Sequence, residues 1–279
     1  MKKVVISVDS AADIPHELAE EYGIEIMPMY VVADRNTLRD GIDVDGKWIF
    51  DYVDRTGIIP KTSAVSPAEY MDFFGPFVKS GAAVLHISFC SELSSTFRNA
   101  VLASARAGDV FVLDSKSLGG GMGLLALKAC AMRDKGMPAE EIYSRLKALV
   151  SKTRVSYLLN SVEFLRLGGR CSAASALGAS LLSIKPCAGV VDGKIEILEK
   201  FKGKSKSVRA LYTDRLIEKY PCADKSAVFI YHSGIDGEEL EDAARKLRNT
   251  GFKKIITAEN GSIISLHSAP HAFGIHFIA

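Results

Sequence analysis

Short apolar runs recur along this chain of 279 residues, and each is followed by a stretch of helical character. Val4 to Val8, Ala83 to Ser88 and Val110 to Leu113 read as strands, and helical segments follow from Glu17 to Tyr22, from about Ser95 to Arg106 and from Met122 to Lys135. That alternation points to an α/β architecture. The boundaries carry their own chemistry. Pro15 suits a first helical turn with Asp13 as its cap, and Ser66-Pro67 with Glu69 three residues on forms a capping box for a helix to Phe77. Gly136 closes one helix and Pro138 opens the next, to about Lys152. Ile24 to Val32 reads as extended, with Pro28 favouring an edge, and Ile59 to Ser63 as an extended loop.

After Lys152 the pattern changes. Val155 to Asn160 reads as a strand, Val162 to Leu167 as a short helix, Ala173 to Leu181 as a helix, and Asp192-Gly193 as a hairpin turn. Helices are expected from Val208 to Lys219 and Glu238 to Asn249. Strands are expected at Ala227 to Tyr231, Ile255 to Glu259, Ile263 to Leu266 and Gly274 to Ile278. With 48% hydrophobic residues the chain can fill two modest cores. The expectation is a mostly parallel α/β domain over residues 1–152 and a mixed α/β domain over 153–279.

Thirty-five Lys and Arg against thirty-three Asp and Glu leave a formal charge of +2, which argues against a general nucleic-acid binder. The apolar start, Val4 to Ile6, is too short for a signal peptide, and no run of about eighteen apolar residues occurs. A cytoplasmic protein is expected. Five widely spaced cysteines without a C-x-x-C pair argue against a disulfide framework or structural zinc. Cys130 and Cys187 read as core residues, and Cys90 and Cys171 as neighbours of a site.

Four polar segments stand out: Thr62-Ser63, Ser91 to Thr96, Gly168-Gly169-Arg170 and His267-Ser268. Each alone has an ordinary reading, such as a hydroxyl capping its own helix or a solvated guanidinium. Together they suit one carboxylate, because a helix start offers unpaired N–H groups and an arginine forks onto two oxygens. A rival reading joins Ser94 or Ser95 with His267 and Asp9 or Asp114 as a serine ester hydrolase, although no G-x-S-x-G elbow is present. A phosphate module at Gly119-Gly120-Gly121 lacks the G-K-[ST] that would complete it. Lys200, Lys202, Lys204 and Lys206 alternate, which in an extended segment places four ammonium groups on one face. Such a row serves either as a charged edge against aggregation or as a docking surface.

The order of these motifs resembles the DegV family of bacterial lipid-binding proteins over essentially the whole chain. The matching elements are Asp9-Ser10 after the first strand, Thr62-Ser63, Ser91-Glu92-Leu93-Ser94-Ser95-Thr96, Asp114-Ser115, Gly168-Gly169-Arg170-Cys171 and Ile184-Lys185-Pro186 before the Asp192-Gly193 turn. The resemblance implies a long-chain fatty acid held between two domains, its carboxylate bound by Thr62, Ser63, Ser94, Ser95, Arg170 and His267. It implies a carrier without catalysis, cofactor or metal of its own. It further implies a separate fatty acid kinase that phosphorylates the acid for phospholipid synthesis, with Lys200, Lys202, Lys204 and Lys206 as the candidate docking surface. Contact with anionic membrane lipid would be transient at most. Tyr157 to Leu165 and Ala173 to Leu182 are candidates for lining the tail. The chain departs from the family where Ser95, Ala269 and His271 replace usual glycines, and where Ala64-Val65 replaces a usual proline. His271 is thereby a further candidate for the carboxylate network.

Overall fold

A computed structural model describes residues 2–171 and 184–279. The expected helix from Ala173 to Leu181, and the tail-lining candidates from Ala173 to Leu182, lie outside the described residues.

In chain order the elements begin with β1 (Val4–Asp9), α1 (His16–Tyr22), β2 (Ile24–Met27), β3 (Tyr30–Ala33), β4 (Asn36–Arg39) and α2 (Gly46–Thr56). Then come β5 (Lys61–Ser63), α3 (Pro67–Lys79), β6 (Ala83–Ser88), α4 (Thr96–Ala107), β7 (Val110–Asp114), α5 (Gly120–Arg133) and α6 (Ala139–Val150). The later part holds β8 (Thr153–Leu158), α7 (Glu163–Leu167), β9 (Ile184–Val191), β10 (Lys194–Lys202) and α8 (Ser205–Lys219). It closes with β11 (Ala227–His232), α9 (Gly237–Asn249), β12 (Lys254–Glu259), α10 (Ser262–Ser268) and β13 (Phe273–Ile278).

The strands form three sheets. One is parallel throughout, in the order β2-β1-β6-β7, and its two inner strands, β1 and β6, are buried along their whole length. A mixed sheet of six strands runs β10-β9-β8-β13-β11-β12, and a small antiparallel sheet runs β4-β3-β5. Helix α5 lies between the two large sheets, touching β1 and β6 on one side and β8, β11 and β13 on the other. A Cβ on Gly120 would stand 2.8 Å from the Tyr231 ring and 2.9 Å from His276 Nδ1, so only glycine permits this approach. Gly120 N–H donates to His276 Nδ1 at 3.0 Å and Gly119 N–H to the Ala11 carbonyl at 2.8 Å. These glycines therefore close a packed interface and form no phosphate cradle. One apolar core runs through α5 from Ile6 and Leu85 to Phe229 and Tyr231, and a second lies beyond the six-stranded sheet, under α8 and α9.

Several local expectations hold. The Ser66–Glu69 capping box is complete, with Ser66 N–H donating to Glu69 Oε2 at 2.7 Å and Glu69 N–H to Ser66 Oγ at 3.3 Å. The Asp192-Gly193 turn joins β9 to β10 with φ of 49° and 82°, the left-handed pair that a two-residue hairpin needs.

Others are corrected. Ile263 to Leu266 is helical, because the Asp40 carboxylate accepts from Ser262 N–H at 2.9 Å and Ser262 Oγ at 2.5 Å and anchors the first turn of α10. His267 is thus in the last turn of a helix and not at a strand end. Asp13 does not cap α1: Pro15 occupies the position before that helix, Asp13 N–H instead closes the turn at Ser10 to Ala12 by donating to the Ser10 carbonyl at 2.9 Å, and its buried carboxyl lies near Asp40. Burial and then that neighbouring charge push its pKa well above the usual carboxylate range. Pro28 divides Ile24 to Val32 into β2 and β3, which belong to different sheets, and Thr62-Ser63 lies on β5, paired with β3. Of Lys200, Lys202, Lys204 and Lys206, only the first two share a strand face. β10 ends at Lys202, Gly203 turns at φ 141°, Lys204 precedes α8, and Lys206 within α8 pairs with Glu238 at 3.0 Å.

Candidate functional site

The C-terminal ends of β1, β6 and β7 are drawn together by two carboxylates, the fully buried Asp9 and the half-buried Asp114. Asp9 accepts from His86 Nε2 at 3.1 Å, Ser88 Oγ at 2.8 Å, Phe89 N–H at 2.7 Å and the Tyr70 hydroxyl. Burial alone would raise its pKa. The adjacent His86 ring and the hydrogen bonds from His86, Tyr70 and Phe89 outweigh that effect and hold it below the usual carboxylate value. Asp114 accepts from Ser91 N–H at 3.2 Å and Lys116 N–H at 3.0 Å. The loop after β6 is therefore pinned at Phe89 and Ser91, and it presents Ser94 and Ser95 at the start of α4.

These residues border a cavity of about 210 Å³ that Thr62, Ser63, Ser94, Ser95, Arg170 and His267 all line. Their convergence has visible causes. Helix α10 packs against β5 and α7, which brings His267 to Thr62 and to the segment leading into Arg170. Asn99 Nδ2 on α4 donates to the Val65 carbonyl at 2.7 Å and ties the Ser94-Ser95 turn to the end of β5. Arg170 Nη1 donates to the Gly168 carbonyl at 2.6 Å, folding the guanidinium back toward the site. The remaining lining is largely apolar and comes from β8, β9, β10 and α10, including Tyr157, Val190, Ile195 and Ile264.

Ser94 also serves its own helix, accepting from Thr96 N–H at 3.2 Å and sharing a hydrogen bond with Thr96 Oγ1 at 2.8 Å. His267 differs. Its Nδ1 is buried without a hydrogen-bond partner, as is the Ser268 hydroxyl beside it. Burial and then the Arg170 charge depress the His267 pKa to about 4, so the ring is neutral near pH 7 and offers one N–H and one lone pair. Unpaired buried polar atoms are costly and call for a partner. A carboxylate in the cavity would supply acceptors beside these groups and the guanidinium.

A hydrolytic triad is not assembled among the described residues. Asp9 and Asp114 are engaged elsewhere, and no acid orients His267 Nδ1. Three of the buried thiols are poor nucleophiles: burial raises Cys90 and Cys130 to about 11 and Cys187 to about 12. No group of three or more His, Cys, Asp or Glu among the described residues is placed to hold a metal ion. His271 stands outside the cavity, with Nδ1 near the Gly234 carbonyl at 3.0 Å. Ala269 and His271 have φ of 66° and 59°, which explains why glycine suits both positions.

Ser268, named in the sequence with His267 as a polar segment but not among the six expected ligands, also lines the cavity, as do Met29, Phe89, Leu93, Leu118 and the β9 wall, which the sequence did not single out. Phe89 alone carried a signal, since it follows the carboxyl end of a sheet strand. Tyr157, Leu159 and Leu165, within the expected lining stretch, do border the cavity.

The family model described as an uncharacterised protein, DegV family, matches residues 3–279. The chain belongs to the DegV family. A DegV domain-containing protein of Caldanaerobacter subterraneus is 30% identical, with 99% of each chain covered. The solved structure of a DegV family protein from Thermus thermophilus, described by its fatty acid binding, superposes with a TM-score of 0.90 at 24% identity over 99% of each chain. DegV of Bacillus subtilis, described as a fatty acid binding protein, gives 0.86 at 25% over 100% of each chain. A stearic acid-binding protein of Eubacterium ventriosum gives 0.84 at 26%, covering 100% of this chain and 98% of that one. This DegV chain shares their two-domain α/β fold. Among its described residues no helix is long and apolar enough to cross a membrane.

Proposed function

We propose that the chain binds a long-chain fatty acid in the cavity between its two domains, which meet near Lys152. Thr62, Ser63, Ser94, Ser95, Arg170 and His267 hold the carboxylate, joined by Ser268. The observation that carries this reading is the convergence of four sequence-distant polar segments on one mostly apolar cavity, where His267 and Ser268 have buried atoms without partners. Burying about sixteen methylenes at about 0.8 kcal/mol each offers on the order of 12 kcal/mol before association costs. Charge-assisted hydrogen bonds to the head add roughly 1.5 to 3 kcal/mol each, partly offset by desolvation. The tail therefore supplies most of the affinity, and the polar cluster decides which end faces it.

Denaturing the purified protein and identifying the released lipid by mass spectrometry tests the reading directly: a stoichiometric fatty acid is expected. Arg170→Ala should weaken acid binding about tenfold to a hundredfold, the loss of one charged hydrogen bond, without shifting the unfolding transition, because the side chain is exposed. Equal dissociation constants for variant and parent would count against the site as drawn.

The finer reading is that this carrier works in the cytoplasm and presents the carboxyl group to a separate fatty acid kinase, whose acyl phosphate enters phospholipid synthesis. The family resemblance supports it. Mixing the acid-loaded protein with a bacterial fatty acid kinase and labelled ATP should give acyl phosphate that depends on the carrier. Equal product from free acid without the protein would remove the carrier role.

A further inference from the structure

A second space of about 530 Å³ lies beyond the first cavity, lined by residues of β8, β9, β10 and α8 together with Lys116 and Ser117. Val155 and Val190 border both spaces. The register of β8 against β9 sets Ser156 opposite Gly189 and Tyr157 opposite Ala188. The pairing of the two strands ends there, and Val155 and Val190 are the next residue on each, on the face that carries Tyr157 and Ala188. The partition continues through the turn before α5, where Leu118 faces the first cavity and the buried Ser117 faces the second. It is also stiff. A Cβ on Gly121 would stand 2.7 Å from Val155 Cγ2, and a Cβ on Gly189 would stand 3.0 Å from the Val155 carbonyl oxygen.

We propose that Val155 and Val190 act as the length gauge of this carrier, a specificity-determining pair that sets how long an acyl chain it accepts. The inference rests on the fatty-acid reading above. A chain that ends before the two valines keeps apolar contact along its whole length. A longer one must displace isopropyl groups that α5 and β9 hold in place, and a close-packed wall of this kind yields little. Behind the pair, Leu198, Phe201 and Leu216 offer apolar surface that an acid reaches only when the wall is trimmed.

The test measures dissociation constants for straight-chain saturated acids, each two methylenes longer than the last, on the parent, on the double variant Val155→Ala with Val190→Ala, and on Val190→Ile. The parent should show a cutoff length. The double variant should move it to longer acids, binding the first acid that the parent rejects at least about tenfold tighter, since each methylene gaining apolar contact strengthens binding about fourfold. Val190→Ile, the gentler change, should move the cutoff the other way. Leu198→Ala, at a residue that lines the far space and not the first cavity, should leave it in place. A cutoff unmoved in both wall variants while shorter acids still bind, or moved equally by Leu198→Ala, would overturn the assignment. Failure of the parent to hold an acid of any length would instead sink the fatty-acid reading, and it would show before any variant is made.

Discussion

Asp9→Ala should lower the unfolding free energy by about 3 to 5 kcal/mol, the cost of breaking a buried charged network by removing one partner. The carboxylate lies at the end of β1 with no solvent exposure and accepts from four donors on α3, β6 and the residue after it. Alanine leaves the Tyr70 and Ser88 hydroxyls, the His86 ring and the Phe89 N–H without their acceptor, in a core that admits little water. Its pKa is lower folded than unfolded, so this contribution is complete above the ordinary carboxylate value near 4 and is lost as pH falls through the lower folded value. Urea unfolding followed by circular dichroism should therefore show a large gap between parent and variant at pH 7 that narrows in acid. Coincident curves at pH 7 would remove the network from the account. Because Phe89 borders the cavity, the same change should loosen the wall that Ser94 and Ser95 depend on.

Gly168→Ala should reduce acid binding more than tenfold. The backbone at Gly168 has φ −67° and ψ −18°, which any residue adopts, so the effect is steric and not conformational. The added methyl carbon would stand 2.1 Å from His267 Nδ1 and 2.5 Å from His267 Cε1, with the Phe164 carbonyl oxygen at 3.1 Å. Either the imidazole leaves its place on the cavity wall or the end of α7 withdraws, taking Arg170 with it. Overpacking of this kind costs about 1 to 3 kcal/mol of stability. Pairing Gly168→Ala with His267→Ala should recover the stability but not the affinity. Calorimetric titration together with thermal unfolding separates the two, and parental affinity in Gly168→Ala would show that the ring position is unimportant.

How much of this was legible depended on the range of each interaction. The six expected head-group residues were recognisable as types: hydroxyls near a helix start, a guanidinium after two glycines, a histidine before a serine. Their approach to one another was not. It follows from α10 lying against β5 and α7, and α10 itself was misread because Ile263-Ile264 is β-branched and its anchor, Asp40, is 222 residues away. The lysine row failed for a related reason. Gly203 breaks the extended segment between Lys202 and Lys204, and the pattern of alternate residues has no meaning across that break. The apolar lining was the least legible part, since Leu118 or Val190 in a sequence is indistinguishable from any other core residue.

The capping box at Ser66 and Glu69, the hairpin at Asp192-Gly193 and the strand-helix alternation of the first half were all written in neighbouring residues, because each depends on contacts a few positions apart. Whether Asp13 would cap a helix or sit buried against Asp40, and which apolar side chains would face a cavity, was settled only when distant segments packed. Those outcomes turn on desolvation and close contact between surfaces that meet only in the folded chain.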